Sequence, residues 1–327
     1  MRATAATVDL GAVARNYARL VARAASGCAV AGVVKADAYG LGAGLVSRTL
    51  WSAGCRDFFV ATAAEGAALR GILGAGARIF VLNGPPVGPS LIPVVSTPAQ
   101  WRACDGPVAL QVETGMHRLG VAPDEARGML CTGRVVLLLS HLACADNWAH
   151  PLNAAQCAAF AALTKAFPDV PASLAASHAF LANPATHHAL ARCGIALYGG
   201  CGAEGVLALH APVLQTATVP AGASIGYGAT YRFPKDARVA TVALGYADGL
   251  LRAASNRAAL YHNGVPCPVR GRVSMDLTCV EVTHLGRDPD VMEVLGPHQG
   301  IDALAAGCGT IPYEVLTALG PGSGLLR

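Results

Sequence analysis

A chain of 327 residues that is 53% hydrophobic and only 13% charged is too apolar to be disordered and too long for one average domain; it fits a large barrel with a smaller partner. The formal charge of +4 is carried by scattered arginines, which argues against a nucleic-acid or membrane-surface stripe and leaves small anions as candidate ligands. No uninterrupted apolar stretch reaches the roughly 18 residues that span a bilayer, and Met1-Arg2-Ala3 leads into no apolar signal region, so the expected location is the cytoplasm.

The eleven cysteines include no C-x-x-C pair and are odd in number, so they read as reduced, mostly buried packing thiols. There is no H-E-x-x-H helix. His187-His188 reads as a solvated helix surface, and no metal is expected.

In chain order, eight short apolar runs come first, at 29–35, 57–62, 78–83, 92–96, 108–113, 135–141, 172–177 and 192–197. Alanine-rich helical stretches such as 63–70 and 154–166 separate most of them. Strands alternating with helices imply a parallel sheet, and eight of them imply a (β/α)8 barrel of the TIM type. A doubly wound sheet is the alternative, but no G-x-G-x-x-G follows the first strand, and Gly40-x-Gly42-x-Gly44 does not match that fingerprint. After about residue 208 the segments 213–218, 238–244, 258–262, 267–273, 277–282 and 291–295 are short, β-rich and bounded by turn residues. They predict a mainly antiparallel β domain with helices at 301–306 and 313–319. The expected division is a barrel over 9–207 and a β domain over 208–327, joined by residues 1–8.

Val33-Val34-Lys35-Ala36-Asp37-Ala38-Tyr39-Gly40 places a lysine where the first strand meets a glycine-rich turn. The chain has only three lysines, Lys35, Lys165 and Lys235. Unlike arginine, a desolvated lysine can lose its proton and form a Schiff base. Active sites of such barrels gather at the C-terminal strand ends, with a phosphate often held after strands seven and eight. Lys35 ends strand one in this reading, Arg118 follows strand five, His141 ends strand six, Ser177 ends strand seven, and Arg192 lies on strand eight before Gly194-Ile195.

Six motifs then occur in order: Val34-Lys35-Ala36-Asp37-Ala38-Tyr39-Gly40, Thr114-Gly115-Met116-x-Arg118-Leu119-Gly120, Gly194-Ile195-Ala196-Leu197-Tyr198-Gly199, Gly226-Tyr227-Gly228-Ala229-Thr230-Tyr231, Gly245-Tyr246-Ala247-Asp248-Gly249 and Ser274-Met275-Asp276. Together they span nearly the whole chain, which resembles the bacterial alanine racemases, fold type III enzymes dependent on pyridoxal 5′-phosphate. The resemblance implies a head-to-tail homodimer that interconverts L- and D-alanine and supplies D-alanine for peptidoglycan. It makes Lys35 the cofactor's Schiff-base lysine and one of two bases, with Tyr227 of the partner subunit as the other, since racemisation moves a proton off one face and onto the other.

The resemblance further implies that Arg192 faces the pyridine nitrogen, with His141 hydrogen-bonded to it. Tyr39, Ser177, Gly194, Ile195 and Tyr313 correspond to the phosphate contacts, and Arg118 and the Met275 amide to the substrate-carboxylate contacts. Tyr246, Asp276 and Tyr313 correspond to a narrow entrance that leaves room for little more than a methyl side chain. Three departures stand against it. Gln111 occupies the place of a carbamylated lysine, so Arg118 is expected to be held less firmly or a bound anion such as chloride to fill the gap. Ala176 replaces a commoner asparagine, and the end Gly320-Pro321-Gly322-Ser323-Gly324-Leu325-Leu326-Arg327 points to a trimmed β domain. The rival readings are a broader amino-acid racemase, for serine among others, and a non-catalytic protein that binds pyridoxal phosphate.

Overall fold

The computed structural model describes residues 4–320; the expectations that fell on Met1 to Ala3 and on the last seven residues lie outside them. The described chain divides into two compact units. One comprises Val13–Ala38 and Ala43–Leu197, and the other takes the remaining described residues.

In chain order the first strand is β1 (Ala5–Val8), followed by helix α1 (Leu10–Arg23). The barrel strands are β2 (Ala29–Val33), β3 (Asp57–Val60), β4 (Arg78–Val81), β5 (Ile92–Val95), β6 (Val108–Gln111), β7 (Val135–Leu139), β8 (Ala172–Ser173) and β9 (Leu190–Cys193). Between them lie a helical turn α2 (Lys35–Tyr39) and the helices α3 (Ala43–Ser52), α4 (Ala63–Leu73), α5 (Pro98–Arg102), α6 (Pro123–Leu130), α7 (Pro151–Ala166) and α8 (Ser177–Ala182).

The eight strands form one sheet in the order β8-β7-β6-β5-β4-β3-β2-β9. The pairings β2–β3 through β7–β8 and β2–β9 are all parallel. The barrel closes between β8 and β9, where the Ala189 and Arg192 amides donate to the Ala172 and Ala175 carbonyls. Strands covered on both faces should be apolar throughout, and Asp-Phe-Phe-Val of β3 and Leu-Ala-Arg-Cys of β9 are buried along their length. Phe59 and Phe80 stack with centroids 4.6 Å apart in this core, and truncating either ring should cost about 3–5 kcal/mol. Gly32 lets α3 approach, because a Cβ there would lie 2.9 Å from Leu50.

Local signals fix the helix ends. Thr62 caps α4 by accepting from the Glu65 amide while Glu65 bonds back to the Thr62 amide, and Gly74 at φ 68° ends that helix. Pro151 opens α7 three residues before the expected start.

The second unit holds β10 (Leu207–Val219), β11 (Ser224–Ile225), β12 (Tyr231–Arg232), β13 (Ala237–Val242), β14 (Ala259–His262), β15 (Val265–Pro268), β16 (Thr278–Glu281) and β17 (Val291–Leu295), then α9 (Ile301–Cys308) and α10 (Pro312–Ala318). Its main sheet runs β15-β14-β17-β10-β13-β16 with β1 added on β10, every pairing antiparallel. Strand β10 is twice the expected length because it pairs β1 and β17 up to Pro212 and β13 from Val213 onward.

Several expectations change. Strand eight runs Leu190–Cys193 and gives way to a 3-10 turn over Ile195–Leu197, where a continuous strand was expected. Strand seven stops at Ser173, so Ser177 begins α8 and does not end a strand. His187 is not on a solvated helix surface. It is fully buried, its ring stacks 4.0 Å from Phe180, its Nδ1 accepts from the Ala25 amide at 3.1 Å, and its Nε2 lies 2.8 Å from the Phe180 carbonyl. None of the eleven cysteines is in a disulfide; only four are buried, six are intermediate and Cys131 is exposed, fewer buried than expected. Among the described residues no helix is long and apolar enough to cross a membrane.

Candidate active site

The barrel unit gathers Lys35, Arg118, His141, Ser177, Gly194 and Ile195 beyond the C-terminal ends of its strands, with Arg192 on β9 itself. Lys35 lies two residues past β2 and opens α2, which is left-handed: Ala36, Asp37, Ala38 and Tyr39 have φ between 51° and 59°. Each non-glycine residue in that region costs about 1–2 kcal/mol, so the turn needs partners. The Ala38 amide donates to the Val34 carbonyl at 2.9 Å, the Ala36 amide to Glu65 Oε1 at 2.7 Å, and the Ala43 amide to Asp37 Oδ1 at 2.6 Å. Burial and then the Arg118 charge lower the Lys35 pKa from its ordinary value, while the Glu65 carboxylate works the other way. Lys35 thus approaches the neutral, nucleophilic form that its position at the strand end suggested.

Arg192 is 6% exposed, yet every partner its guanidinium meets is neutral. Nη1 donates to the Ser173 carbonyl at 2.9 Å and Ser173 Oγ at 2.6 Å; Nη2 donates to the Ser140 carbonyl at 2.6 Å. Burial brings its pKa down to about 10, which leaves it a cation at neutral pH. His141 Nδ1 stands 3.3 Å from Arg192 Nη2. Arginine can only donate, so Nδ1 accepts and Nε2 carries the ring proton. Burial, then the charges of Arg192, Arg118 and Lys35, hold the His141 pKa down to about 3.

Arg118 sits on a loop that closes on itself, with the Glu113 amide bonded to the Val121 carbonyl and the Val121 amide to the Gln111 carbonyl. Burial pushes the Glu113 carboxyl up, but the amides of Gly115, His117 and Met116 and the His117 charge outweigh it and leave its pKa below the ordinary value. Gly120 permits the closure: at φ 144° a Cβ would fall 2.5 Å from the Glu113 nitrogen. Gln111 Nε2 donates to the Leu119 carbonyl at 2.9 Å, so the side chain holds this loop by the loop's backbone.

Ser177 Oγ, 1% exposed, accepts from the Gly194 amide at 3.1 Å and the Ala196 amide at 3.3 Å. Its own proton remains to be donated. That proton is a donor for an anion, and the Gly194 and Ala196 amides would join it on turning from Oγ. With no carboxylate among their partners this suits a phosphate ester, and together with a half-buried lysine and a buried cation it fits pyridoxal phosphate.

In the second unit, the Tyr39 ring packs 5.0 Å from Tyr198 and 5.7 Å from Tyr313. Next to Tyr39, Gly40 lies against the backbone after α10, where a Cβ on it would fall 2.6 Å from the Gly320 Cα. Tyr227 is 71% exposed on a 3-10 turn after β11, flanked by Gly226 at φ 70° and Gly228 at φ 72°. Tyr246, Met275 and Asp276 share one corner. The Tyr246 amide donates to the Ser274 carbonyl and the Ala247 amide to the Met275 carbonyl, and a Cβ on Gly245 would strike that carbonyl at 2.1 Å.

The sequence reading missed Glu65, the Ala196 amide, Tyr198 and the fully buried Gln156. Gln156 Nε2 donates to the His141 carbonyl at 2.9 Å and to Thr114 Oγ1 at 3.3 Å, while Oε1 accepts from the Ala143 amide at 2.9 Å. The Thr62-x-x-Glu65 spacing could have marked Glu65 only as a helix cap, and nothing local marks Gln156.

An eight-stranded parallel barrel bearing a lysine, a buried arginine and a serine–amide anion site beyond its strand ends, followed by an antiparallel β unit, defines the class of two-domain barrel enzymes that use pyridoxal phosphate. The profile "Alanine racemase, N-terminal domain" matches residues 8–201 and "Alanine racemase, C-terminal domain" matches 206–323. The chain belongs to the alanine racemase family. It is 49% identical to an alanine racemase of Jannaschia sp. strain CCS1, with 96% of each chain covered. It is 43% identical to a catabolic alanine racemase of Agrobacterium fabrum, covering 96% of this chain and 89% of that one. The crystal structure of a Bartonella henselae alanine racemase with covalently bound pyridoxal phosphate superposes with a TM-score of 0.89 at 32% identity, covering 98% of each chain. A biosynthetic alanine racemase of Pseudomonas aeruginosa gives 0.89 at 35% identity, covering 98% of this chain and 97% of that one.

Proposed function

We propose that the protein is a pyridoxal phosphate-dependent alanine racemase that interconverts L- and D-alanine with two bases, Lys35 and Tyr227 of the partner subunit. The observation that carries this is the half-buried Lys35 with a lowered pKa, set on a left-handed turn beside Arg118 and the His141–Arg192 pair. Pyridoxal phosphate, when bound, supplies the electron sink that acidifies the substrate Cα–H. Lys35 Nζ holds the cofactor and moves the proton on one face, and the Tyr227 hydroxyl moves it on the other. Arg192 would face the pyridine nitrogen with a cation that keeps its own proton, which would disfavour transamination. Neutral His141 orients Arg192.

Ser177, Gly194 and Ile195, with Tyr39 and Tyr313, hold the phosphate. Arg118 and the Met275 amide hold the substrate carboxylate, and Tyr246, Asp276 and Tyr313 narrow the entrance to suit a methyl side chain. The exposure of Tyr227 supports a head-to-tail homodimer in which this residue serves the neighbouring site. The barrel domain, residues 9–207, then works with residues 208–327 and 1–8 of the β domain. Eleven cysteines outside any disulfide support a cytoplasmic location, and D-alanine for peptidoglycan is the product's use.

Loss of circular dichroism from L-alanine and separately from D-alanine, each with pyridoxal phosphate added, tests the reading. Decay of both to the racemic limit is expected, with serine turned over far more slowly. Retained dichroism from a protein that holds the cofactor on Lys35 would make it a carrier, and faster turnover of serine would make it a broader racemase.

A further inference from the structure

We propose that Glu65 is a positioning residue of this site: its carboxylate clamps the left-handed turn that carries Lys35 onto the start of α4 and puts a negative charge beside the lysine amine. The proposal rests on the racemase reading for what Lys35 does.

A capping glutamate needs only the amide of the N-cap residue. Glu65 takes three amides from the ends of two neighbouring strands. Oε2 accepts from Ala61 at 2.7 Å and Thr62 at 3.0 Å, both just past β3, and Oε1 accepts from Ala36 at 2.7 Å, just past β2. The Ala36 amide is the first of the strained turn and follows directly on Lys35. The other nearby carboxylate, Asp37, is taken by the Ala43 amide. Lys35 faces Arg118 from the loop after β6 and His141 from the end of β7, and Glu65 from α4 opposes the Arg118 charge. A glutamine at 65 has one acceptor oxygen and turns N–H groups toward N–H groups. It therefore gives up the Ala36 bond or the Ala61 and Thr62 bonds, and the charge with either.

The test uses the full-length chain, cleared of cofactor and then reloaded. Competitive amine labelling of Lys35 across pH, read by peptide mass, gives the titration midpoint; hydrogen exchange gives the protection of the Ala36 amide. For Glu65→Gln the midpoint should move to lower pH, the Ala36 amide should exchange faster, and the reloaded enzyme should lose kcat roughly ten- to a hundredfold with little change in KM. Glu65→Asp keeps the charge but withdraws it by one methylene, so the midpoint should stay and the protection should fall. Thr62→Ala removes the cap alone; it should lower the melting temperature and leave midpoint and protection in place. A wild-type midpoint in folded Glu65→Gln, or a Thr62→Ala midpoint that moves as far, overturns the proposal. Should Glu65→Gln not fold, the remaining pair decides: lost Ala36 protection in Glu65→Asp but not in Thr62→Ala supports the clamp, and equal behaviour overturns it. Labelling needs no turnover, so a protein that shows the midpoint shift but fails to racemise alanine keeps the clamp and loses the racemase reading.

Discussion

Two sets of functional side chains are treated in opposite ways, although Arg118 in the barrel is exposed and Tyr39 in the second unit is buried. In the barrel, Arg192 and Ser177 are buried and hydrogen-bonded to groups of the same unit, so their positions are set before any ligand arrives. In the β unit, Tyr227, Tyr246 and Met275 are among the most exposed large apolar side chains of the described residues. Groups that must stabilise charge gain from fixed dipoles in a dry surrounding. The proposed two-chain site needs Tyr227 to be accessible in its own chain, and an exposed tyrosine on a glycine-flanked turn is compatible with that.

The most drastic way to break this contrast is Lys35→Ala, which should lower racemisation from both enantiomers by more than about 10^4-fold and abolish covalent retention of cofactor after borohydride reduction. Circular dichroism and the mass of the Lys35 peptide read the two effects. Tyr227→Phe should slow racemisation by about 10^2- to 10^4-fold yet leave exchange of the D-alanine Cα proton in heavy water, because only one face loses its base. Mixing the two variants should restore part of the activity through hybrid sites, and a mixture that stays inactive after demonstrated subunit exchange would place both bases in one chain.

Within the barrel the effects are smaller. Gly120→Ala should destabilise the protein by about 3 kcal/mol, through backbone strain and the clash with the Glu113 amide, and should raise KM for alanine as the Arg118 loop shifts. Denaturant midpoints and steady-state kinetics check the two parts. His141 sharpens the comparison by pH. Its pKa falls from 6.5 to about 3 on folding, so the unfolded chain binds the extra proton between those values. Stability therefore rises with pH through that window and is lost as pH falls from 6.5 toward 3. His141→Gln should flatten this limb, by at most about 2 kcal/mol at pH 5, in thermal melts across pH.

Much of the site was legible because its chemistry is rare in this composition. With three lysines in the chain, one at a strand end is conspicuous, and Arg192 fell on the eighth strand as read. The alternation of apolar runs and alanine-rich helices carried the barrel. The left-handed turn was not legible. Alanine at φ 51° is locally unfavourable, and it is offset by a carboxylate 29 residues further on. Ser177 was misplaced for a related reason: β8 is only two residues long, and the apolar run that suggested a longer strand turns into α8. His187 looked like a surface residue because its neighbours are polar, whereas its burial comes from Phe180 and the Ala25 amide, the latter 162 residues away.

The sequence by itself determined the two architectures, the succession of strands along the chain and the kinds of side chain available at their ends, because periodicity and residue chemistry are local properties. Tertiary structure alone decided the hand of the turn beneath Lys35, the burial that lowers its pKa, and the neutral partners of Arg192. Those depend on which distant amides, carboxylates and charges folding brings within a few ångströms.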